Sequence, residues 1–155
     1  MRLTTKGRYA VTAMLDLAFH YQEGTTALGE IARRQGISLS YLEQLFAKLK
    51  RGGLVDSVRG PGGGYTLAVD PSKISVADIV IAINENIDAT RCGGERNCQG
   101  EEVCLTHDLW EDLSKRIYEF LHAVSLADLI ARPQVQEIAE RQASRLRIGL
   151  PEILN

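Results

Sequence analysis

Between Tyr9 and Tyr21 the apolar residues Val11, Met14, Leu15, Ala18 and Phe19 recur at spacings of three and four, which predicts one buried helix face, ended by Gly24. A shorter helix follows, with Thr25 or Thr26 as its cap, Leu28, Ile31 and Ala32 as its buried face and Gly36 as the left-handed residue that stops it. Ser38 opens a third helix, "SLSYLEQLFAKLKRGG", in which Leu39, Leu42, Leu45, Phe46 and Leu49 share one face. Ser40, Tyr41, Glu43, Gln44, Ala47 and Lys48 fall on the other face, and Gly52 and Gly53 terminate the run. Two short β-branched or aromatic runs, "LVDSVR" and "YTLAV", flank "GPGGG" and predict a hairpin with a glycine-rich tip.

Pro71 marks a boundary. Beyond it, "SVAD" from Ser75 and "SLAD" from Ser125 are Ser-x-x-Asp capping boxes in front of apolar helices. Between them a helix from about Thr106 to Val124 places Trp110, Leu113, Ile117, Phe120 and Val124 at alternating spacings of three and four, a heptad seam. A three-helix unit with its hairpin closes by about residue 70, so this seam needs a partner, and self-association is expected. "QVQEIAERQASRLR" after Pro133 has the composition of one more helix, and "IGLPEILN" reads as a loosely ordered tail. The expected organisation is therefore a DNA-binding unit over 1–70, a loop with dimerisation helices over 71–133, and a C-terminal helix or tail over 134–155. The fold class is mainly α with a small β-hairpin wing: a winged helix-turn-helix domain plus a long dimerisation helix.

Composition narrows the function. The 155 residues are 45% hydrophobic and 25% charged, proportions of a globular protein. No window approaches a membrane span, and the basic start "MRLTTKGRYA" lacks the apolar core of a secretory signal, so the cytoplasm is the expected compartment. The net charge of -2 hides an asymmetry: residues 1–70 hold nine Lys and Arg against six Asp and Glu, whereas residues 71–155 hold nine against fourteen. A basic front half suits a polyanion. "GPGGG" is not followed by Gly-Lys-Ser/Thr, which argues against a phosphate loop, and no Ser/His/Asp or Cys/His arrangement outside one loop announces nucleophilic catalysis. An enzyme is not expected.

Two short helices joined through a glycine turn and followed by a glycine-tipped hairpin form the pattern of a winged DNA reader. Ser38, Ser40, Tyr41 and Gln44 cluster at the end of the third helix that would enter a major groove, where Gln pairs with adenine through two hydrogen bonds. Glu43 is repelled by phosphate, so it either accepts a proton from cytosine N4 or excludes other sites; alternatively it pairs with a neighbouring Lys on a solvated face. Arg59 stands at the wing beside Gly60, Pro61 and Gly62, where it can enter a narrow minor groove while the backbone approaches phosphate. Arg2, Lys6 and Arg8 would make sequence-blind phosphate contacts.

Every cysteine lies in "RCGGERNCQGEEVCLTH". Three is an odd number, which argues against a disulfide framework and for metal or redox chemistry. Cys92, Cys98, Cys104 and His107 run as Cys-x5-Cys-x5-Cys-x2-His, four metal donors on one loop. Structural zinc favours shorter knuckles. Spacings of five with Gly93, Gly94 and Gly100 between suit a wider object such as a two-iron cluster, one iron of which would carry a His. Zinc, and unliganded thiols awaiting oxidation, remain alternatives. His107 would begin the heptad helix, tying the occupancy of the site to the expected interface. His20 and His122 stand alone on helices and read as ordinary side chains.

"MRLTTKGRYAVTAMLDLA", "QGISLSYLEQLF", "GLVDSVRGPGGGYTL" and "DATRCGGERNCQGEEVCLTH" together resemble the bacterial iron-sulfur cluster regulators of the IscR family over about the first 110 residues. The similarity fades after the heptad helix, and the segment from about Val135 carries no family motif. The resemblance implies a homodimeric transcription factor that binds palindromic promoter sites on double-stranded DNA. It implies a [2Fe-2S] cluster on Cys92, Cys98, Cys104 and His107, with the cluster assembly machinery as its source. It further implies repression of the assembly operon when loaded, action at a second class of promoters with or without cluster, and a link between the position of Glu43 and discrimination between the two site classes. A reading from another class, a small iron-sulfur carrier whose helix-turn-helix is only structural, would show no steep salt dependence of DNA binding.

Overall fold

The computed structural model describes residues 4–147, so Arg2 and the "IGLPEILN" segment lie outside the described residues. Seven α-helices and one hairpin follow in chain order. They are α1 (Thr5–His20), α2 (Leu28–Gln35), α3 (Leu39–Arg51), β1 (Val55–Val58), β2 (Gly64–Leu67), α4 (Val76–Ala82), α5 (His107–Ala123), α6 (Leu126–Ile130) and α7 (Pro133–Arg147). The fold is mainly α with a two-stranded wing. No helix among the described residues is long and apolar enough to cross a membrane.

Local chemistry sets most boundaries. Gly36, at φ 66°, donates its N–H to the Ala32 carbonyl and closes α2 in the left-handed conformation that glycine adopts without a Cβ penalty. Ser38 Oγ accepts the Tyr41 N–H and caps α3. Ser75 with Asp78, and Ser125 with Asp128, form complete capping boxes at α4 and α6. The two boxes lie side by side: Ser75 and Ser125 pair as an antiparallel bridge, the Val76 N–H donating to the Val124 carbonyl and the Leu126 N–H to the Ile74 carbonyl, each at 2.9 Å. The chain leaving α5 is thereby stitched to the chain entering α4.

One hydrophobic core runs across Pro71. Ala10, Ala13, Met14, Leu17, Leu42, Leu45, Phe46 and Leu49 pack with Ile74, Ile79, Ile83 and Leu126. Leu39, expected in that core, is 46% exposed, because it sits on the first turn of α3 beside Ser38 and Ser40, beyond the packed face. Nor do Thr25 and Thr26 cap α2, whose N-cap position is Ala27 with no side-chain bond. They bind the wing instead. Thr26 exchanges two backbone hydrogen bonds with Tyr65, at 2.9 and 2.8 Å, and Thr25 Oγ1 donates to the Gly62 carbonyl at 2.6 Å. The close approach requires Gly64, where an added Cβ would stand 2.4 Å from the Thr26 carbonyl oxygen.

A buried ion pair joins α1 to α2. Asp16, 5% exposed, accepts two bonds from Arg34, at 2.9 and 2.8 Å, and a third from Gln35 at 2.7 Å. Gln35 and Gln142 of α7 then exchange a reciprocal amide pair at 2.9 and 3.1 Å. Val11, Leu15 and Phe19 of α1 face Val135, Ile138 and Ala139 of α7 across a cavity of about 240 Å³.

Two substitutions test this framework. Asp16→Ala leaves the Arg34 guanidinium buried without its carboxylate and is expected to destabilise the protein by about 3–5 kcal/mol in urea unfolding. Gly64→Ala drives a methyl group into the Thr26 backbone and is expected to cost about 1–3 kcal/mol, with loss of the Thr26 and Tyr65 amide protection in hydrogen exchange.

Candidate metal centre and nucleic-acid interface

The donors of the cysteine loop are positioned from both ends. At its start Asp88 accepts the Thr90 N–H and hydroxyl, at 2.8 and 2.6 Å, and the Ala89 N–H donates to Ser114 Oγ of α5 at 2.6 Å. Thr90 Oγ1 accepts the Gly94 N–H at 3.0 Å, folding the chain back over Cys92. Gly93, Gly94 and Gly100 have φ of 66°, 87° and 65°, so the wide spacing between cysteines is taken up by left-handed turns. At its end His107 opens α5 and is the only buried residue of that helix among those described.

These constraints bring Cys92, Cys98 and His107 together, with one ligand atom from each lying within 4.8 Å of the others. His107 Nδ1 stands 3.5 Å from Cys92 Sγ and 3.4 Å from Cys98 Sγ. Its Nε2 pairs with Glu111 Oε2 at 2.7 Å, and Arg96 reaches the same oxygen at 3.2 Å. Cys104 does not join this group. Its backbone N–H donates to Cys98 Sγ at 2.9 Å, while its own Sγ lies 3.8 Å from Thr106 Oγ1.

Protonation follows from the same contacts. Burial pushes the Cys92 thiol up, but the Arg96 and Gly94 N–H groups, with Thr90 and Cys98, outweigh it and bring it down to about 6. Burial, aided by the neighbouring thiols, holds Cys98 above its ordinary value, while the bond from Cys98 lowers Cys104. Glu111 raises His107, against the opposing effect of burial. A lowered thiol at Cys92 favours the thiolate, the state in which sulfur ligates metal. The donor set therefore fits a thiophilic metal group: three ligands converge, and the fourth candidate is tied by its backbone to one of them.

The heptad residues of α5 face outward. Trp110, Leu113 and Phe120 are exposed, Phe120 by 65%, with Ile117 and Val124 half-buried; Leu105 and Leu109 extend the apolar strip. His122 stacks on Tyr118 at 5.6 Å and His20 pairs with Glu23 at 3.3 Å, so neither approaches the cysteines.

On the basic half, Ser38, Ser40, Glu43 and Gln44 are exposed at the start of α3, and Arg59, Gly60, Pro61 and Gly62 are exposed at the wing tip. Ser38 Oγ is shared between its cap and Ser40 Oγ, 3.0 Å away. Tyr41 is half-buried, edge-on to Tyr9 at 5.7 Å, and so only partly available. Glu43 is exposed on this face. Lys6 is half-buried with its ammonium against that of Lys48, an interaction that, together with burial, lowers the Lys48 pKa. Two adjacent cations at one place invite an anion. Lys48 was not among the sequence candidates, although it lies four residues, one helical turn, beyond Gln44.

Comparison with known proteins places this geometry. Residues 3–132 match Rrf2, described as an iron-dependent transcriptional regulator. The chain is 58% identical to the HTH-type transcriptional regulator IscR of Xenorhabdus nematophila, over 95% of this chain and 90% of that protein. It is 60% identical to IscR of Photorhabdus laumondii, over 92% and 87%. Among solved structures, IscR of T. potens superposes with a TM-score of 0.69 at 43% identity, covering 84% of this chain and 86% of the other. CymR, the global cysteine regulator of B. subtilis, superposes with a TM-score of 0.72 at 35% identity, covering 83% and 95%. These relatives are transcriptional regulators rather than enzymes. With its hairpin wing, its exposed polar α3 face and a family match spanning most of its length, the chain belongs to the Rrf2 family of iron-dependent transcriptional regulators.

Proposed function

We propose that this regulator senses iron-sulfur cluster status through a [2Fe-2S] cluster held by Cys92, Cys98, Cys104 and His107, and that it acts as a homodimer on palindromic promoter DNA. The observation that carries the reading is the convergence of Cys92, Cys98 and His107 at the start of a helix whose outer face is apolar and uncovered. When bound, a two-iron cluster supplies a redox-active centre whose His ligand raises its potential above that of an all-Cys site. Cys104 stands three residues before His107, and its backbone N–H already bonds Cys98 Sγ, which supports its place as the fourth ligand.

The rest of the chain converts occupancy into DNA choice. His107 begins α5, so pulling its ring toward the thiols fixes the angle at which Trp110, Leu113, Ile117, Phe120 and Val124 meet the same residues of a second copy. An exposed apolar strip of this kind is stabilised by burial against its own symmetry mate. Occupancy alters operator choice only as far as the loaded and empty dimers differ in affinity for DNA; about 1–3 kcal/mol corresponds to a 5- to 150-fold change. On this reading the loaded protein represses the cluster assembly operon, receives its cluster from the assembly machinery, and acts at a second class of promoters with or without it, with Glu43 separating the classes. Gln44, Ser40 and Tyr41 read base edges, Arg59 with Gly60, Pro61 and Gly62 reads the minor groove, and Ser38, Arg2 and Lys6 fix the register.

The three convergent atoms are also close enough for a single ion, which supports zinc as the second reading. Metal and sulfide analysis of anaerobically purified protein separates the two. About two irons and two sulfides per chain are expected, lost in Cys92→Ala and with a changed visible spectrum in His107→Ala. Zinc alone at one per chain keeps the DNA-binding function and removes the sensor, and equal affinity of loaded and empty protein for every operator does the same.

DNA binding is tested by anisotropy across a salt series. Gln44→Ala is expected to cost about 1–3 kcal/mol on the preferred operator and to relax specificity at one base pair. Lys6→Ala is expected to weaken binding to all sequences alike and to reduce the salt slope by about one.

A further inference from the structure

His107 presents its two ring nitrogens to two different environments. Nδ1 faces sulfur, with Cys92 and Cys98 Sγ at 3.5 and 3.4 Å, and Nε2 faces a carboxylate oxygen at 2.7 Å. A neutral imidazole has one N–H and one lone pair, and a carboxylate only accepts. A proton on Nε2 therefore satisfies Glu111 and leaves the lone pair on Nδ1, aimed at the thiols. Glu111 is itself held: Arg96, from the middle of the cysteine loop, donates to the same Oε2 at 3.2 Å. The ring is 2% exposed while Glu111 and Arg96 reach solvent, so the dyad runs from the buried site to the surface. A surface pair of Arg and Glu adds little stability. Its relevance here is geometric, since it places a second contact on the carboxylate oxygen that faces Nε2.

We propose that Glu111, one helical turn after His107, is a positioning residue for the metal centre: it locks His107 in the Nε2–H tautomer, assigns Nδ1 as the ligating atom, and is steadied by Arg96. The proposal rests on the reading of the loop as a metal site. It names a residue outside the Cys and His set and a loop-to-helix link, Arg96 to Glu111, beside the site.

Ring tautomers can be read on metal-free protein, so the test does not depend on loading. Long-range proton–nitrogen correlation of the histidine rings is recorded on metal-free protein at a pH where the imidazole is neutral. His107 is expected as the Nε2–H form in the wild type and in Glu111→Gln, whose amide oxygen still accepts, and as a mixture in Glu111→Ala. Equal tautomer populations in wild type and Glu111→Ala overturn the proposal whether or not metal binds. Zn²⁺ isotherms on the same proteins should show about 10- to 100-fold weaker binding for Glu111→Ala, mostly recovered in Glu111→Gln. After anaerobic loading, the reduction potential should rise in both variants, since both remove the negative charge, whereas unchanged potentials and Zn²⁺ affinities overturn the positioning role. A wild-type His107 in the Nε2–H form, with neither iron nor zinc taken up, overturns the metal-site reading while leaving the effect of Glu111 on the ring established.

Discussion

One buried imidazole anchors the longest helix among the described residues. Among the described residues of α5 only His107 is buried, and its ring is gripped by two thiols on one side and a carboxylate on the other. At its far end α5 is secured by backbone alone, through the Val124 carbonyl and the adjoining Ser125 bridge to Ser75. Between those two points the inner face of α5 packs on α4 and Ser114 accepts the Ala89 N–H, while Trp110, Leu113 and Phe120 on its outer face are exposed. The sulfur–imidazole contact thus sits at the first residue of a helix whose outer face is apolar. On the proposed function, that placement would join the metal-site chemistry to the association of two copies.

The opposite half of the chain obeys a different constraint. Asp16 and Arg34 form a salt bridge inside a small helical domain, an arrangement that is costly to desolvate and damaging to break from one side. Gln35 carries the network on to Gln142, so α7 is held to α2 by amide pairing beside the apolar cavity between α1 and α7. The polar network specifies how α1, α2 and α7 meet, and the aliphatic core beneath supplies the bulk of the burial.

What was legible in the sequence was local. Ser38, Ser75 with Asp78, and Ser125 with Asp128 act on amides three residues away, so their roles could be read from spacing, as could the left-handed Gly36. The donor set at Cys92, Cys98 and His107 was legible because the loop is short and glycine-rich. Roles set by partners distant in the chain were not. Thr25 and Thr26 resemble caps by position, yet their bonds go to Gly62 and Tyr65. Leu39 fits the apolar stripe, yet falls beyond the packed surface. Asp16 on an apolar helix face gives no hint that Arg34 waits eighteen residues later, and Glu111 looks like any solvent-facing acid until the His107 ring is placed beneath it. Cys104 shows the converse: its spacing includes it, while its side chain points to Thr106.

The seam between Thr26 and Tyr65 has a mechanical consequence. The entrance to α2 and the second strand of the wing share a two-bond ladder closed over Gly64, and Thr25 fastens the loop near its tip. Helix-turn-helix and wing are thereby one rigid stamp rather than two adjustable fingers. A stamp of fixed shape reads one half-site in one way. On the homodimer reading proposed above, variety in the sequences accepted would then have to come from the distance and tilt between two stamps, the quantity that the outer face of α5 would set.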